Sequence, residues 1–377
     1  MQKALALFLS LIVILTALSV DIYADPSPIS VSAESAVLID ASSNKVIYEK
    51  NSDRRMGMAS TTKIMTALVA AERCDINKEI TVSPLAVGVE GSSIYLYEGE
   101  RFTLEELLYA LLLRSANDAA AAIAIAVGGS IEGFAEMMNE KASRMGLENT
   151  NFTNPHGLYD KEHYTTAYDL AVISSHLLKN ETLKNIVSTY KITIPFSDNS
   201  ENTRFLVNHN KMLKMYDGAI GVKTGFTKAT GRCLVSAAER DGLTLIAVTL
   251  NAPDDWNDHK KMLDSGFDNY ECVTIADVGE FSYPIALVGG KEEFVRLTNA
   301  EPLKATLPKS RDSIKCKVET YHRFEFAPTY PKTELGKVSF VYNGITVASS
   351  TLVCAEFAER AATRKGLLNK LSSFFNG

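Results

Sequence analysis

Segments with the pattern of β-strands lie at both ends of a helix-rich stretch, and this arrangement restricts the possible folds more than any other feature of the sequence. Residues 36–50 hold two apolar runs around the polar turn Ser42-Ser43-Asn44, which predicts a hairpin. Three more β-rich runs follow, at 219–225, 232–238 and 243–251. Asp241-Gly242, between the last two, is a strong hairpin turn. We therefore predict an α/β (α+β) domain at 25–275 whose sheet is assembled from distant segments.

Helix signals fill the stretch between these strands. Thr103 is a good N-cap for the apolar run 104–113, and the two glutamates of its first turn suit the helix dipole. The Ala-rich run 118–127 stops at Gly128-Gly129, which is a typical helix end. Further helices are predicted at 60–72, 130–145, 166–178 and 257–270.

The C-terminal part of the chain has a different pattern. Residues 276–354 contain short β-rich runs separated by Gly and Pro turns, with no helical periodicity. We predict a separate, small all-β domain at 276–355. The segment 271–277 is the predicted linker between the two domains.

The N-terminus has the layout of a secretory signal peptide. Lys3 precedes an uncharged, mostly apolar run at 4–20, and Ala24 offers a small residue for cleavage, with Ser19 as an alternative position. A run of this length is borderline for a membrane span, so an uncleaved anchor is the competing interpretation. Both interpretations predict that the protein is exported, and we take 1–24 as the signal peptide.

The C-terminal segment 356–377 is predicted to form a basic amphipathic helix. Its apolar residues recur on one helical face, at Leu367, Leu368, Leu371, Phe374 and Phe375. Its basic residues are Arg360, Arg364, Lys365 and Lys370, with no acidic residue after Glu359. Such a helix suits an anchor that lies in the plane of a membrane surface. An ordinary helix packed on the domain is the alternative.

Charge and cysteine content argue against several classes of protein. The formal net charge is −6 and no basic stripe is present, which argues against a nucleic-acid partner. The cysteines are odd in number and lack CxxC spacing, which favours buried free thiols, with one bridge left open. They are Cys74, Cys233, Cys272, Cys316 and Cys354. No Cys or His pair has the spacing of zinc ligands, and we predict no metal and no cofactor.

The first candidate catalytic element is Ser60-Thr61-Thr62-Lys63. Residues i and i+3 share a helical face, so the Ser60 hydroxyl and the Lys63 amine can approach each other. A serine needs a neighbouring base to act as nucleophile, and a lysine whose pKa is lowered by burial or by another cation can be that base. A helix N-terminus also provides backbone N–H groups for an oxyanion. Alone the pattern is weak, because a capping serine and a solvated lysine have the same spacing.

Two further elements follow in the chain. Ser115-Ala116-Asn117 lies between two predicted helices, where a hydroxyl and an amide can relay a proton and hold a peptide carbonyl; capping explains it equally well. Lys223-Thr224-Gly225 lies on a predicted strand, and an edge strand can pair with an extended peptide. There Lys223 and Thr224 are predicted to meet a terminal carboxylate. Gly225 allows a ligand to approach the backbone closely.

The ordered set is far more specific than its parts. Ser-x-x-Lys, then Ser-x-Asn, then Lys-Thr-Gly is the signature of penicillin-binding proteins and serine β-lactamases. The chain resembles the low-molecular-mass penicillin-binding proteins, the D-alanyl-D-alanine carboxypeptidases of bacterial cell walls. The resemblance covers roughly 32–270 and includes the stretches 115–119, 138–142, 154–158 and 163–167.

The resemblance implies a penicillin-binding/β-lactamase-like transpeptidase domain and a two-step reaction. Ser60 attacks the carbonyl between the last two D-alanines of a peptidoglycan stem peptide, and Lys63 accepts its proton. Water then hydrolyses the acyl-enzyme. The backbone N–H groups of Ser60 and Phe226 are implied as the oxyanion hole.

The remaining roles follow from the same resemblance. Ser115 and Lys223 are implied to move protons, Asn117 to hold the substrate's peptide, and Thr224 its carboxylate. β-Lactams are implied to acylate Ser60. The implied location is the outer face of a bacterial cytoplasmic membrane, in the cell-wall space.

The chain departs from some family members at two positions. Some have histidine directly after Lys-Thr-Gly, where this chain has Phe226, and some have arginine where His209 stands. Both departures affect side-chain specificity rather than the mechanism. His156 and His163 form an alternative catalytic set, but a structural role is favoured because Lys63 already fills the role of base.

Three competing functions remain at this point. A β-lactamase of class A uses a Glu-x-x-Leu-Asn segment, and here the leucine of Glu181-Thr182-Leu183-Lys184-Asn185 is one position early. A non-catalytic β-lactam sensor or wall-binding scaffold is disfavoured, since none of the three elements is broken. An endopeptidase that cuts cross-links uses the same chemistry as a carboxypeptidase and stays open.

Overall fold

The computed structural model describes residues 29–195 and 203–361. The predicted signal peptide, 1–24, and the segment 362–377 lie outside the described residues. The strands are β1 (Ser35–Asp40), β2 (Val46–Lys50), β3 (Glu79–Thr81), β4 (Arg101–Thr103), β5 (Lys191–Pro195), β6 (Thr203–Val207), β7 (Ala219–Thr227), β8 (Gly231–Arg240), β9 (Leu243–Leu250), β10 (Tyr270–Ala276), β11 (Tyr283–Val288), β12 (Phe294–Asn299), β13 (Leu303–Pro308), β14 (Lys315–Thr320), β15 (Phe324–Phe326), β16 (Glu334–Tyr342) and β17 (Ile345–Cys354). The helices are α1 (Lys63–Arg73), α2 (Leu104–Leu113), α3 (Asn117–Gly128), α4 (Ile131–Arg144), α5 (Ala167–Leu178), α6 (Glu181–Ser188), α7 (Met212–Met215) and α8 (Asp255–Asn269).

The predicted strands from the two ends of the first domain form one antiparallel sheet, which confirms the fold class. Its strand order is β2-β1-β9-β8-β7. Ser35 at the start of β1 pairs with Leu250 at the end of β9, so the first and last strands are neighbours in the sheet. β7, which carries Lys223-Thr224-Gly225, lies at the edge.

Helices cover both faces of this sheet, and the alternation of side chains along β1 explains why the strand is apolar throughout. Val37 and Ile39 enter the larger core, which they share with α1 to α6. Leu38 points to the opposite face and packs in a second core with Leu263 of α8. Because successive side chains of a strand point to opposite faces, a strand between two helical layers is buried at every position.

The predicted helices are present, with small shifts at their ends. The largest shift affects the helix predicted at 60–72, because Ala59–Thr62 is a 3₁₀ turn and α1 begins at Lys63. α6 is absent from the predictions, although Asn180 gives it an ordinary N-cap by accepting a hydrogen bond from the Leu183 N–H at 3.1 Å. The β5–β6 hairpin was also not predicted.

Residues 271–276 of the predicted linker 271–277 form a strand. They lie in β10, which pairs with β13 from Tyr270↔Pro308 to Ala276↔Leu303. The chain therefore passes directly from α8 into a strand that belongs, by its pairing, with the C-terminal strands. The residues of this strand do not alternate regularly between exposed and buried, and regular alternation is the pattern that indicates a strand in a sequence.

The C-terminal region has the predicted all-β character, with no helix among the described residues after Asn269. A six-stranded sheet, in the order β14-β16-β17-β12-β11-β15, supplies most of it. Its core includes Leu287, Leu297 and Leu352. The predicted C-terminal helix does not begin at residue 356, because 356–361 is extended and forms bridges at Ala358 and Arg360.

The cysteines are free thiols, and none of them forms a disulfide. Cys233 and Cys354 are buried, whereas Cys316 is exposed, so the prediction of buried thiols is only partly correct. Within residues 29–195 and 203–361, no single helix has the length and apolar character needed to cross a membrane. α3 and α4, bent by 81°, meet that test only as a pair.

Substitution of Thr103 tests how much the N-terminal cap of α2 contributes to the stability of the first domain. Its Oγ1 accepts a hydrogen bond from the Glu106 N–H at 3.2 Å, and the Glu106 carboxylate accepts one from the Thr103 N–H at 2.8 Å. Thr103→Ala removes the first of these bonds, and we expect the free energy of unfolding to fall by about 1 kcal/mol. Urea denaturation measures the change. Thr103→Ser keeps the hydroxyl and is the control; equal losses in both variants would contradict the capping role.

Candidate active site

The serine of the first motif lies in a tightly held 3₁₀ turn. Thr61 Oγ1 donates a hydrogen bond to Met58 O at 2.6 Å, and Thr62 Oγ1 donates one to Ala59 O at 2.7 Å. Ala59 itself has a φ of +46°, a conformation that non-glycine residues rarely adopt. These bonds position Ser60 directly before α1.

Lys63 is the first residue of α1 and is fully buried. Its Nζ lies 2.9 Å from Ser60 Oγ, 2.7 Å from Asn117 Oδ1 and 2.5 Å from His156 O. A neutral amine has two N–H donors and one lone pair. It can therefore donate to the two carbonyl oxygens and accept the Ser60 hydroxyl proton, which suits a base poised beside a nucleophile.

Burial lowers the pKa of Lys63 well below its ordinary value of 10.5, because the charged form loses its hydration. The positive charge of Lys223 lowers it further, and the carboxylate of Asp118 acts in the opposite direction. Burial also lowers the pKa of Lys223 to about 7. The alternative of a solvated lysine is thus excluded, and two buried amines of reduced basicity lie at the site.

The second motif lies at the junction of α2 and α3, as predicted. Ser115 has a φ of +61° and lines the cleft. Asn117 is held on three sides: its Oδ1 contacts Lys63, its Nδ2 donates to Glu90 O at 2.5 Å, and its backbone N–H donates to Ser92 O at 2.7 Å. Asn117 is buried, and its contacts position the Lys63 amine.

Asp118 is a buried residue of this site that the sequence motifs did not single out. Its carboxylate accepts hydrogen bonds from Ser93 Oγ at 2.6 Å and from the Leu96 N–H at 3.1 Å. It also accepts from the Ile94 N–H. The loop that carries Ser92 is thereby fixed against α3. The available signal was that Asp118 belongs to the run 115–119, one of the stretches that carry the family resemblance.

The third motif brings β7 against the serine turn. Lys223 Nζ is buried and donates a hydrogen bond to Thr224 O at 2.9 Å. A Cβ on Gly225 would lie 3.0 Å from Ser60 N and 3.1 Å from Met58 O, so only glycine allows the strand to approach this closely. Phe226, the next residue along this edge strand, lines the same cleft as Ser60.

The cleft combines residues from all three motifs with residues from outside them. Its lining is Ser60, Ser92, Ser115, His209, Thr224, Gly225, Phe226, Arg232, Asp255 and Trp256. Arg232 lies opposite Phe226 in the β7–β8 register, and its Nη2 is 2.9 Å from Asp255 Oδ1. Sequence reasoning missed Arg232, Asp255 and Trp256, because no motif links a strand residue to the start of a distant helix.

His163 braces the serine turn. Its Nδ1 accepts a hydrogen bond from the Thr153 N–H at 3.0 Å, so the neutral ring carries its proton on Nε2 and donates it to Thr62 Oγ1 at 2.7 Å. Burial lowers the pKa of His163 to about 4, and burial together with the Lys63 charge lowers that of His156 to about 3. Both rings are neutral at pH 7, which agrees with the structural role favoured for them.

Comparisons with known proteins agree with this geometry. The family model for D-alanyl-D-alanine carboxypeptidase matches residues 22–254. The chain is 36% identical over 344 residues to the D-alanyl-D-alanine carboxypeptidase DacF of Bacillus subtilis, over 89% of this chain and 88% of that protein. It is 29% identical to DacA of Haemophilus influenzae, over 92% of this chain and 91% of that protein. The structure of penicillin binding protein 5 from Haemophilus influenzae matches with a TM-score of 0.74 at 28% identity, over 89% of this chain and 99% of that chain.

The fold and the serine–lysine site define a serine enzyme of the penicillin-binding class. Within that class, the chain belongs to the D-alanyl-D-alanine carboxypeptidase family. It is a serine-type carboxypeptidase that acts on the D-alanyl-D-alanine ends of peptidoglycan peptides through an acyl-enzyme, and it binds β-lactams. The predicted family, fold class and activity are thus confirmed. Its substrate places its action in the cell-wall space.

Substitution of Gly157 tests how strongly the acylation rate depends on the position of the serine turn. A Cβ at this residue would collide with the carbonyl oxygen of Ala59, and φ is already +86°. We expect Gly157→Ala to displace the turn and to slow acylation by benzylpenicillin at least roughly tenfold, a change of about 1.4 kcal/mol in the barrier. Stopped-flow or gel-based labelling with fluorescent penicillin measures the rate.

Gly146→Ala is the matched control for this substitution. Gly146 has a φ of +74°, yet a Cβ at this residue would have no neighbouring atom within 4 Å. The control therefore carries the same backbone strain without the collision, and we expect its acylation rate to stay near wild type. Equal rates in the two variants would contradict the close-contact argument.

Proposed function

We propose that Ser60 is the nucleophile of this carboxypeptidase and that Lys63 is its general base. The observation that carries the proposal is the fully buried Lys63 Nζ, 2.9 Å from Ser60 Oγ, with its other contacts satisfied by carbonyl oxygens. A buried amine next to a second buried cation is neutral at a pH where an exposed lysine is charged. The neutral amine can accept the Ser60 proton as the Ser60 Oγ–C bond to the substrate forms.

The oxyanion that develops on the substrate carbonyl is proposed to accept hydrogen bonds from the backbone N–H groups of Ser60 and Phe226. The close approach of Gly225 to Ser60 N supports this pairing. Backbone donors held by a rigid turn and a strand need little reorganisation as charge develops, which is the main source of their effect. The C–N bond to the terminal D-alanine then breaks, and that alanine leaves as an amine with the proton that Lys63 has taken up. Water later hydrolyses the Ser60 ester.

The substrate is proposed to lie along the free edge of β7. Its terminal carboxylate would meet Thr224, with Lys223 supplying charge from below the strand. Asn117 would hold the peptide from the opposite side of the cleft, and Ser115 would carry protons between Lys63 and the leaving nitrogen. The positions of Ser115 and Thr224 in the lining of one cleft support these roles.

We propose that residues 1–24 export the chain and that the basic amphipathic segment within 362–377 holds it at the outer face of the cytoplasmic membrane. The sequence patterns of the two ends support this location. In cells, deletion of 366–377 is expected to release most of the protein from membranes.

The nucleophile is tested by labelling. We expect fluorescent penicillin to label the wild-type protein in a 1:1 ratio and Ser60→Ala to remove the label. The reason is that, among the residues that the structure describes, Ser60 Oγ is the only hydroxyl oxygen that the Lys63 amine contacts, at 2.9 Å. Ser115→Ala is the informative comparison, since it keeps the nucleophile and should label slowly rather than not at all. Label that persists on Ser60→Ala would refute the assignment.

The bond that is cut is tested with a muropeptide pentapeptide and with cross-linked dimers. A carboxypeptidase removes one alanine mass from the pentapeptide, which mass spectrometry detects. Cleaved dimers together with intact pentapeptide would instead favour an endopeptidase. A β-lactamase would release hydrolysed penicillin rapidly. The lifetime of the labelled enzyme therefore distinguishes a β-lactamase from a carboxypeptidase.

The pH dependence of acylation follows from the two lysines. The active form has Lys63 neutral, so the rate falls as pH drops below its lowered pKa, far from 10.5. Lys223, with a pKa of about 7, loses its charge as pH rises, so the reaction of anionic substrates falls again on the alkaline side. We therefore expect a bell-shaped profile of kcat/KM. Lys223→Arg keeps the cation at all these pH values and should move the alkaline limb upward; an unchanged alkaline limb would contradict the role of Lys223.

A further inference from the structure

The six-stranded sheet of the C-terminal region has one buried face and one exposed face near its β15 edge. On β11 and β12, Ile285, Leu287, Val295 and Leu297 form the core. The residues between them point the opposite way, because side chains alternate across a strand. This outward side is where a soluble domain ordinarily places polar residues.

Aromatic residues occupy that outward side instead. In the strand register Phe324 and Phe294 both lie beside Ala286, on either side of β11, and Phe326 lies beside Val288. Phe294 is 58% exposed, Phe324 45% and Phe326 62%. The rings of Phe324 and Phe326 are 5.3 Å apart. Phe324 and Phe326 thus contact each other, and Phe294 lies on the same outward side across Ala286.

Two further rings extend this surface where the chain runs past β12 and β15. Tyr330 is 61% exposed and Phe357 51% exposed, with ring centroids 5.4 Å apart. Phe357 lines the same surface depression as Phe294. We call this surface the aromatic face: Val288, Phe294, Phe324, Phe326, Tyr330 and Phe357. An exposed apolar patch of this kind marks an interaction site with a partner.

The described chain ends at the rim of the aromatic face. The Ala361 N–H donates a hydrogen bond to Gly289 O at 2.9 Å, and Arg360 bridges Gly290. These two glycines directly follow Val288, so the sixteen residues of 362–377 start beside the patch. Their apolar and basic residues have the pattern of a helix that binds in the plane of a membrane.

The chemistry of the face suits lipid. Phe and Tyr rings are enriched at the headgroup level of membranes, where an apolar ring and a polar rim are both solvated favourably. The rim here carries charges of both signs: Lys291 pairs with Glu359 at 2.5 Å. The other charged residues that line the depression beside Phe294 are Arg296, Glu292, Glu293 and Glu356. A single acyl chain gives only marginal membrane binding and stable attachment takes a second signal, so a second contact would strengthen a short anchor in the same way.

We propose that the aromatic face lies in the headgroup layer of the membrane, as a second contact beside the 362–377 segment. This inference rests on the membrane association proposed above and adds to it a specific surface of the folded β region. Two contacts that are joined at Ala361 hold the β region in one orientation on the lipid, which a flexible tether alone does not.

Depth-dependent fluorescence quenching tests the proposal on the mature chain, 25–377. Trp256 is the single tryptophan, so Trp256→Phe gives a silent background in which Phe326→Trp reports on the aromatic face. Vesicles of phosphatidylcholine and phosphatidylglycerol with brominated acyl chains are the probe. We expect strong quenching of the residue-326 tryptophan. Phe205→Trp is the matched control, because Phe205 is 60% exposed on β6 of the other domain and should stay unquenched.

Sedimentation with unbrominated vesicles of the same composition measures how much the aromatic face contributes to membrane binding. The double substitution Phe324→Ser with Phe326→Ser should lower the vesicle–water partition coefficient roughly tenfold or more. The reason is that two apolar rings are no longer transferred from water into the membrane. Phe205→Ser should leave it unchanged. These variants keep Trp256, and labelling by fluorescent penicillin at the wild-type rate shows that they are folded.

The possible outcomes separate the two proposals. Deletion of 366–377 should weaken binding but leave residual quenching at residue 326. Vesicle binding without quenching at residue 326 overturns this inference and leaves the anchor intact, whereas no vesicle binding at all by the full mature chain overturns both. Burial of the residue-326 tryptophan without vesicles, reversed by deleting 366–377, would overturn the inference by showing that the segment covers the face. Concentration-dependent dimerisation lost in the double serine variant would overturn it by showing that a second copy covers the face.

Discussion

The burial of the Lys63 amine against Ser60 is the interaction on which the rest of the site depends. An ammonium in this position would face the nearby Lys223 without water, so the folded protein favours the neutral amine. Asn117 and the His156 carbonyl satisfy its hydrogen bonds, which leaves its lone pair for the serine proton. The same burial that makes a charged lysine costly thus favours the neutral amine that the proposed base role requires.

Three distant parts of the chain meet at this site: the serine turn, the segment that holds Gly157, and β7. Glycines determine how closely these parts approach one another. Gly157 packs under the Ala59 carbonyl, and Gly225 brings β7 to the Ser60 N–H. The sheet sets the framework, since β1 pairs with β9 and leaves β7 as a free edge over the serine turn. His163 completes the support through Thr62. The groups proposed to be catalytic are therefore positioned by close backbone packing rather than by flexible side chains.

Features that depend on a few neighbouring residues could be predicted from the sequence. Contacts between residues that are far apart in the chain could not. The Thr103 cap, the Asp241-Gly242 turn and the spacing of Ser60 and Lys63 each follow from local geometry, so the elements that carry them were predicted. Arg232 meets Asp255 only because β8 and α8 are neighbours in space, and Asp118 holds a loop that precedes it by more than twenty residues. The strand at 271–276 was predicted as part of a linker because its residues show no clear alternation, and its pairing with β13 is visible only in the fold. The activity became predictable through the order of three motifs, none of which was specific alone.

The most direct test of the account is the titration of Lys63 itself, followed by NMR of lysines labelled with ¹³C at Cε and assigned with Lys63→Arg. The account predicts that the Lys63 resonance in the folded protein titrates well below 10.5. It also predicts that Lys223→Gln raises this pKa, because a neighbouring positive charge is removed while the amine stays buried. A Lys63 that titrates near 10.5 in the folded wild-type protein would contradict the central claim, since the residue would then be charged at neutral pH and unable to accept the Ser60 proton.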